Sequence, residues 1–112
     1  MDSNSTATGN DFYGCMYTCL YIGQNDDQSS GDTTSWNLTV SGNRMKPWTD
    51  PATGIYYRVS VPIAVRNVTG ALVENNTFDP RCIGTVQVVA SPQLSGRAAG
   101  NNMIQNNVVQ IW

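Results

Sequence analysis

The chain has 112 residues, 40% of them apolar and only 12% charged, with a formal net charge of −2 and no histidine. That length supports one domain with a modest core, and so weak a charge excludes the basic surface that nucleic acid demands. No apolar run reaches the roughly eighteen residues of a membrane-spanning helix, so no membrane partner is expected.

In chain order, the first residues, Met1-Asp2-Ser3-Asn4, carry neither a basic start nor an apolar stretch, and no signal peptide is read there. An extracellular or virion-associated protein leaving the cell by another route, or a piece cut from a longer one, fits that start. Strands are expected over 19–22, 36–40, 56–65, 71–73 and 85–89, which are rich in Val, Ile, Tyr and Thr. Val59, Val61, Ile63 and Val65 alternate and should share one side. Turn-forming residues fill 23–34, 46–54 and 91–100. The first two pieces are expected to project from the same side. No segment has a helical period.

A short phrase returns four times, at Asn10-Asp11-Phe12, Asn43-Arg44-Met45, Asn76-Thr77-Phe78 and Asn102-Met103-Ile104. The intervals are 33, 33 and 26 residues, a spacing that marks stacked structural units. The flanks travel with the phrase: Leu38 matches Ala71, Val40 matches Val73 and Ala99, and Met45-Lys46-Pro47 matches Phe78-Asp79-Pro80. Such columns are expected where each residue lies on its counterpart one parallel strand away, about 4.8 Å distant. One all-β domain over 1–112 is therefore expected, a parallel solenoid of three to four coils. An antiparallel β-sandwich is the alternative, although it gives no reason for residues 33 apart to match. Asn10, Asn43, Asn76 and Asn102 are expected to form a structural ladder at a tight corner. Asn enters the left-handed region readily, and its amide bonds to the same amide above and below.

The stretch from Val68-Thr69-Gly70 through Asn75-Asn76-Thr77-Phe78, followed by a strand and Asn101-Asn102-Met103-Ile104-Gln105-Asn106-Asn107, resembles the coil pattern of right-handed parallel β-helix proteins. This pectate-lyase-like group contains many polysaccharide lyases, glycoside hydrolases and phage tailspikes. The resemblance implies a β-helix fold and an association with polysaccharide. Family enzymes have many more coils and an amphipathic cap, and none of their catalytic motifs finds a match here. The open ends imply a homo-oligomer, with a tailspike-like trimer as the first expectation, or the remainder of a larger β-helix protein.

A glycosidase needs two carboxyls about 5 to 10 Å apart, and Asp50, Glu74 and Asp79 are the candidates, beside a structural or solvated role for each. Asp11 next to Arg44, and Asp79 next to Lys46, are expected as ion pairs between adjacent strands. Trp48, Tyr56 and Tyr57 are the candidate carbohydrate-binding residues, because flat aromatic faces lie well on sugar rings. Trp36, Tyr13, Tyr17 and Trp112 have the same property. Four glycosylation sequons stand at Asn4, Asn37, Asn67 and Asn75.

No metal or cofactor is expected. Asp26-Asp27 with Asn25 and Asp32 lacks the spacing of a calcium loop, and Cys15, Cys19 and Cys82 lack the partners of a zinc set. Three cysteines permit at most one internal disulfide, and buried thiols are the plainer reading. Together these features suggest a non-catalytic β-helix module of an extracellular or virion fibre that contacts polysaccharide. The alternatives are a polysaccharide hydrolase or lyase with its site in an inter-chain groove, and a purely structural self-assembling solenoid.

Overall fold

Val, Ile and Thr sit where the backbone is extended, while Gly and Asn sit where it turns. The computed structural model describes residues 4–15, 17–23, 35–56, 59–66, 68–89 and 101–112. These contain β1 (Thr6–Thr8), β2 (Asp11–Tyr13), β3 (Leu20–Gly23), β4 (Ser35–Trp36), β5 (Thr39–Ser41) and β6 (Arg44–Lys46). They continue with β7 (Ile63–Arg66), β8 (Val68–Thr69), β9 (Leu72–Glu74), β10 (Thr77–Phe78), β11 (Val86–Val89), β12 (Met103–Gln105) and β13 (Val108–Val109). No helix occurs among the described residues.

All of these strands pair in parallel, which excludes the antiparallel sandwich. The first sheet has the order β1-β5-β9-β12, the second β2-β6-β10-β13 and the third β3-β7-β11, while β4 pairs with β8. The chain thus visits the three larger sheets in the same sequence on each of the first three passes, and the first two of them again at β12 and β13. Register partners are Thr6, Thr39, Leu72 and Met103 in the first sheet and Asp11, Arg44, Thr77 and Val108 in the second. Leu20, Ile63 and Val86 are partners in the third.

The step from the first sheet to the second is always five residues: Thr6 to Asp11, Thr39 to Arg44, Leu72 to Thr77, Met103 to Val108. The step from the second to the third is 9 residues for Asp11 to Leu20 and for Thr77 to Val86, but 19 for Arg44 to Ile63. From the third sheet back to the first it is 19, 9 and 17, counted from Leu20, Ile63 and Val86. A long return after β3 and a long departure after β6 compensate, which is why both passes repeat at 33. The expectation that 23–34 and 46–54 occupy equivalent places is thereby corrected: the first follows β3, and the second precedes β7, the partner of β3. Residues 24–34 and 90–100 lie outside the described residues, and with them Asn25, Asp26, Asp27 and Asp32.

Two columns of left-handed residues bracket the first sheet. Asn4, Asn37, Gly70 and Asn101 form one, with φ from 52° to 75°, and Gly9, Gly42, Asn75 and Asn106 form the other, with φ from 55° to 68°. Only Gly and Asn occupy them, as the energetics of that region require. Three of the sequon asparagines, Asn4, Asn37 and Asn75, therefore hold corner positions; Asn67 lies outside the described residues.

The side-chain ladder stands one residue past the second column. The Oδ1 of Asn43 accepts from the main-chain N–H (2.9 Å) and Nδ2 (3.1 Å) of Asn10. Asn76 accepts the same pair from Asn43 at 3.0 and 3.1 Å, and Asn107 from Asn76 at 3.0 and 2.9 Å. The fourth member is thus Asn107 rather than Asn102, and the last interval is 31 residues rather than 26. Asn102 belongs to the other corner, where its Oδ1 accepts from Ala71 N–H (2.9 Å) and its Nδ2 donates to Val68 C=O (3.0 Å). The left-handed turn and the ladder amide, expected of one Asn, belong to two adjacent residues.

Between the corners, inward side chains stack like on like. Val40 lies on Val73 and Met45 on Phe78, all four inaccessible to solvent, and Ile22 lies on Val65. Ile63, Leu38, Val68 and Ala71 complete this core. Strand limits differ from expectation in two places. Asn37 turns left-handed and separates β4 from β5 within 36–40, and among the described residues of 56–65 only the end from Ile63 is strand. Val59, Ile63 and Val65 are buried, whereas Val61 is half-buried. Cys15 and Cys19 form a disulfide across the short β2–β3 connection, leaving Cys82 free.

Candidate functional site

Alternation along β6 sends Met45 inward and turns Arg44 and Lys46 outward. On the neighbouring β2, Asp11 lies beside Arg44 and Tyr13 beside Lys46. Asp11 accepts both arms of the Arg44 guanidinium, at 2.8 and 2.7 Å, and these hydrogen bonds hold its carboxyl below the usual range. Lys46 Nζ sits 5.4 Å from the centre of the Tyr13 ring and 4.3 Å from that of Trp112. Arg44 covers Trp112 at 4.4 Å. Trp112 is anchored as well, since its Nε1 donates to Met45 C=O (3.2 Å) and its main-chain oxygen accepts from Lys46 Nζ (3.0 Å).

The long β6–β7 connection adds the rest of this face. Trp48 stands 46% exposed against Gly14, where a Cβ would lie 3.6 Å from Trp48 Cβ. Thr49 forms an antiparallel bridge to Tyr56 and donates its N–H to the Tyr13 hydroxyl (3.4 Å). Asp50 builds the turn between them: its carboxylate accepts from Ala52 N–H (2.9 Å) and Thr53 Oγ1 (3.0 Å). From the next pass, Arg81 reaches Thr49 Oγ1 and lies 5.5 Å from the Tyr56 ring centre.

Arg81 is fixed by Asp79, which is 1% exposed. Asp79 accepts from Arg81 N–H (2.9 Å), Nε (2.7 Å) and Nη2 (3.0 Å). Those side-chain bonds outweigh burial and keep the Asp79 carboxyl below its ordinary value. The expected neighbour Lys46 adds attraction from a greater distance, but Arg81 makes the ion pair. Nearby, burial pushes the Cys82 thiol up to about 11, so at neutral pH it is no nucleophile.

Each candidate catalytic carboxylate therefore has a structural task. Asp50 caps a turn, Glu74 accepts from Gln105 Nε2 (3.1 Å), and Asp79 locks Arg81. A general acid needs a raised pKa, and the shift at Asp79 runs the other way. Of the candidate sugar-binding residues, Trp48 and Tyr56 lie on the face just described, and Tyr57 lies outside the described residues. Tyr13, Trp112 and the cations Lys46 and Arg81 join them. Arg81 is not among the residues singled out from the sequence, where its one cue is its place directly after Asp79-Pro80.

Among the described residues the surface forms no pocket, and no three His, Cys, Asp or Glu side chains gather to hold a metal ion. Comparison with protein-family models, with curated proteins and with solved structures gave no match.

Proposed function

We propose that the chain is a short right-handed parallel β-helix, a non-catalytic module of an extracellular or virion fibre whose aromatic and cationic face contacts polysaccharide. The observation that carries this reading is the face itself. Tyr13 and Trp48 offer exposed rings on an open surface, while Lys46, Thr49 and Arg81 are held among them by hydrogen bonds and ring contacts. Rings flanked by fixed donors suit a hydroxyl-rich ligand that is gripped along its length rather than enclosed. The occupied carboxylates favour binding over turnover, and the Cys15–Cys19 disulfide fits an oxidising compartment. As in tailspikes, a trimer is the expected assembly.

Tryptophan fluorescence titrated with neutral and acidic polysaccharides tests this. Binding should weaken about tenfold in Trp48→Ala, the loss of about 1.4 kcal/mol, with an unchanged melting temperature. Release of reducing ends, abolished by Asp50→Asn or Asp79→Asn, would instead establish the hydrolase or lyase. Light scattering should give a multiple of the chain mass, and a stable monomer would count against the fibre.

A further inference from the structure

Asn37-Leu38-Thr39 and Asn75-Asn76-Thr77 are two of the Asn-x-Thr triplets in the chain. Both asparagines lie on passes that have a described pass on each side, so the stack itself sets their surroundings. Each is exposed and left-handed, at φ 56°. Each also has a glycine beside it in its corner column, Gly70 next to Asn37 and Gly42 next to Asn75. A glycine there leaves the amide uncrowded: a Cβ on Gly70 would stand 3.4 Å from Asn37 Oδ1.

The amide protons divide the asparagines into two kinds. Asn76 is inaccessible, and its Nδ2 donates to both Val40 C=O (3.1 Å) and Asn107 Oδ1 (2.9 Å). Its neighbour Asn75 has no side-chain hydrogen bond among the described residues. Asn37 Nδ2 gives one proton to Asn4 Oδ1 (3.2 Å) and keeps the other. None of the ladder residues Asn10, Asn43, Asn76 and Asn107 heads an Asn-x-Thr triplet. The triplet thus falls on corner amides with a proton to give and is absent from those committed to the ladder.

We propose that Asn37 and Asn75 are acceptor sites for Asn-linked glycosylation. The donor is a lipid-linked oligosaccharide pyrophosphate. Nδ2 attacks the first sugar carbon, an N–C bond forms, the C–O bond to the pyrophosphate breaks, and Nδ2 releases one proton. The middle residues Leu38 and Asn76 satisfy the triplet, which forbids only proline there. The secondary amide left on Asn37 retains one N–H, enough for its bond to Asn4. The Cys15–Cys19 disulfide is an independent observation in the same direction, since disulfides persist in the secretory lumen, where such bulky, solubilising sugars are added. Glycans at these corners stand at opposite edges of the first sheet, flanking the outward residues of β5 and β9. They leave the Trp48 face clear, because Asn75 precedes β10 whereas Trp48 follows β6, the partner of β10. The inference is separate from polysaccharide contact at that face.

Translation of the full chain behind a cleavable secretion leader, in the presence of eukaryotic microsomes, tests it. Release of glycans by peptide-N-glycosidase in heavy-oxygen water converts each used asparagine to a labelled aspartate, and peptide mass spectrometry should find the label at Asn37 and Asn75. Asn37→Gln and Asn75→Gln should each remove one glycan from the intact mass. Thr39→Val and Thr77→Val should do the same, while Thr39→Ser and Thr77→Ser retain it, a contrast that follows the hydroxyl and needs no folded protein. Glycosylated chain secreted from cultured cells should keep its strand signal by circular dichroism and melt no lower than after enzymatic removal of the sugars. Unmodified Asn37 and Asn75 in microsomes that glycosylate a control chain would overturn the proposal, as would glycan found only on chains that lack the strand signal.

Discussion

The corner joining the first sheet to the second and the connection joining the second to the third obey opposite rules. The step across the corner is five residues on all four passes, whereas the step across the connection is 9 or 19. The corner is fixed because its two positions hold one left-handed residue and one stacked amide on every pass. The connection carries no such repeated column, so it accepts ten more residues between β6 and β7 and uses them to display Trp48 and Tyr56. Shape is set at the corner, and surface chemistry is supplied at the connection.

The sharpest way to break the corner is Asn76→Ala. Asn76 is inaccessible; it accepts from Asn43 N–H and Nδ2 and donates to Val40 C=O and Asn107. Truncation orphans several buried groups at roughly 1–3 kcal/mol each, so a loss of about 4 kcal/mol is expected from urea midpoints. In the connection, Asp79→Asn should lose about 2–3 kcal/mol at neutral pH, since hydrogen bonds to charged groups lie near that range. Its pH dependence follows from the sign of the shift. The folded carboxyl lies below its ordinary 3.8, so its contribution is full above that pH and disappears as pH falls through the lower folded value. Wild type and Asp79→Asn should therefore converge in stability under acid, which unfolding at stepped pH would reveal.

Gly42 separates backbone from side-chain demands. Gly42→Val should lose about 2 kcal/mol, because a β-branched residue is strained at φ 68°. Gly42→Asn should lose only a few tenths, as Asn75 and Asn106 already hold that column; thermal unfolding of the pair gives the comparison. The smallest effect is expected at the connection's tip. Asp50→Ala removes two turn hydrogen bonds at a solvent-facing site, and should lose below about 1 kcal/mol while lowering polysaccharide affinity through a displaced Trp48.

Much of this contrast was legible in the residues. The 33-residue interval, the Val40–Val73 and Met45–Phe78 columns and the Asp11–Arg44 pair follow from aligning like with like. The fourth ladder position did not, for a physical reason. Each pass has two corners that both need a left-handed residue, and at the last pass both are written Asn-Asn, at 101–102 and 106–107. A local phrase cannot distinguish two sites with the same chemical demand. The 31-residue interval from Asn76 to Asn107, nearer to 33, was the available clue. Interchange of Gly and Asn also concealed the left-handed columns, because backbone freedom links those residues where side-chain similarity does not. Arg81 escaped because its partners Thr49 and Tyr56 lie on a connection absent from the neighbouring passes, so no repeat points to them.

The uneven connections also bear on how the chain acquires its order. Bringing β3 to β7 closes a loop of 43 residues and bringing β7 to β11 closes one of 23, a difference in closure entropy of about 0.6 kcal/mol. β7 is also the strand with three successive buried residues. Nucleation is thus favoured between Ile63 and Val89, with growth toward both termini, and mutations at Val65 should slow folding where mutations at Val109 speed only unfolding.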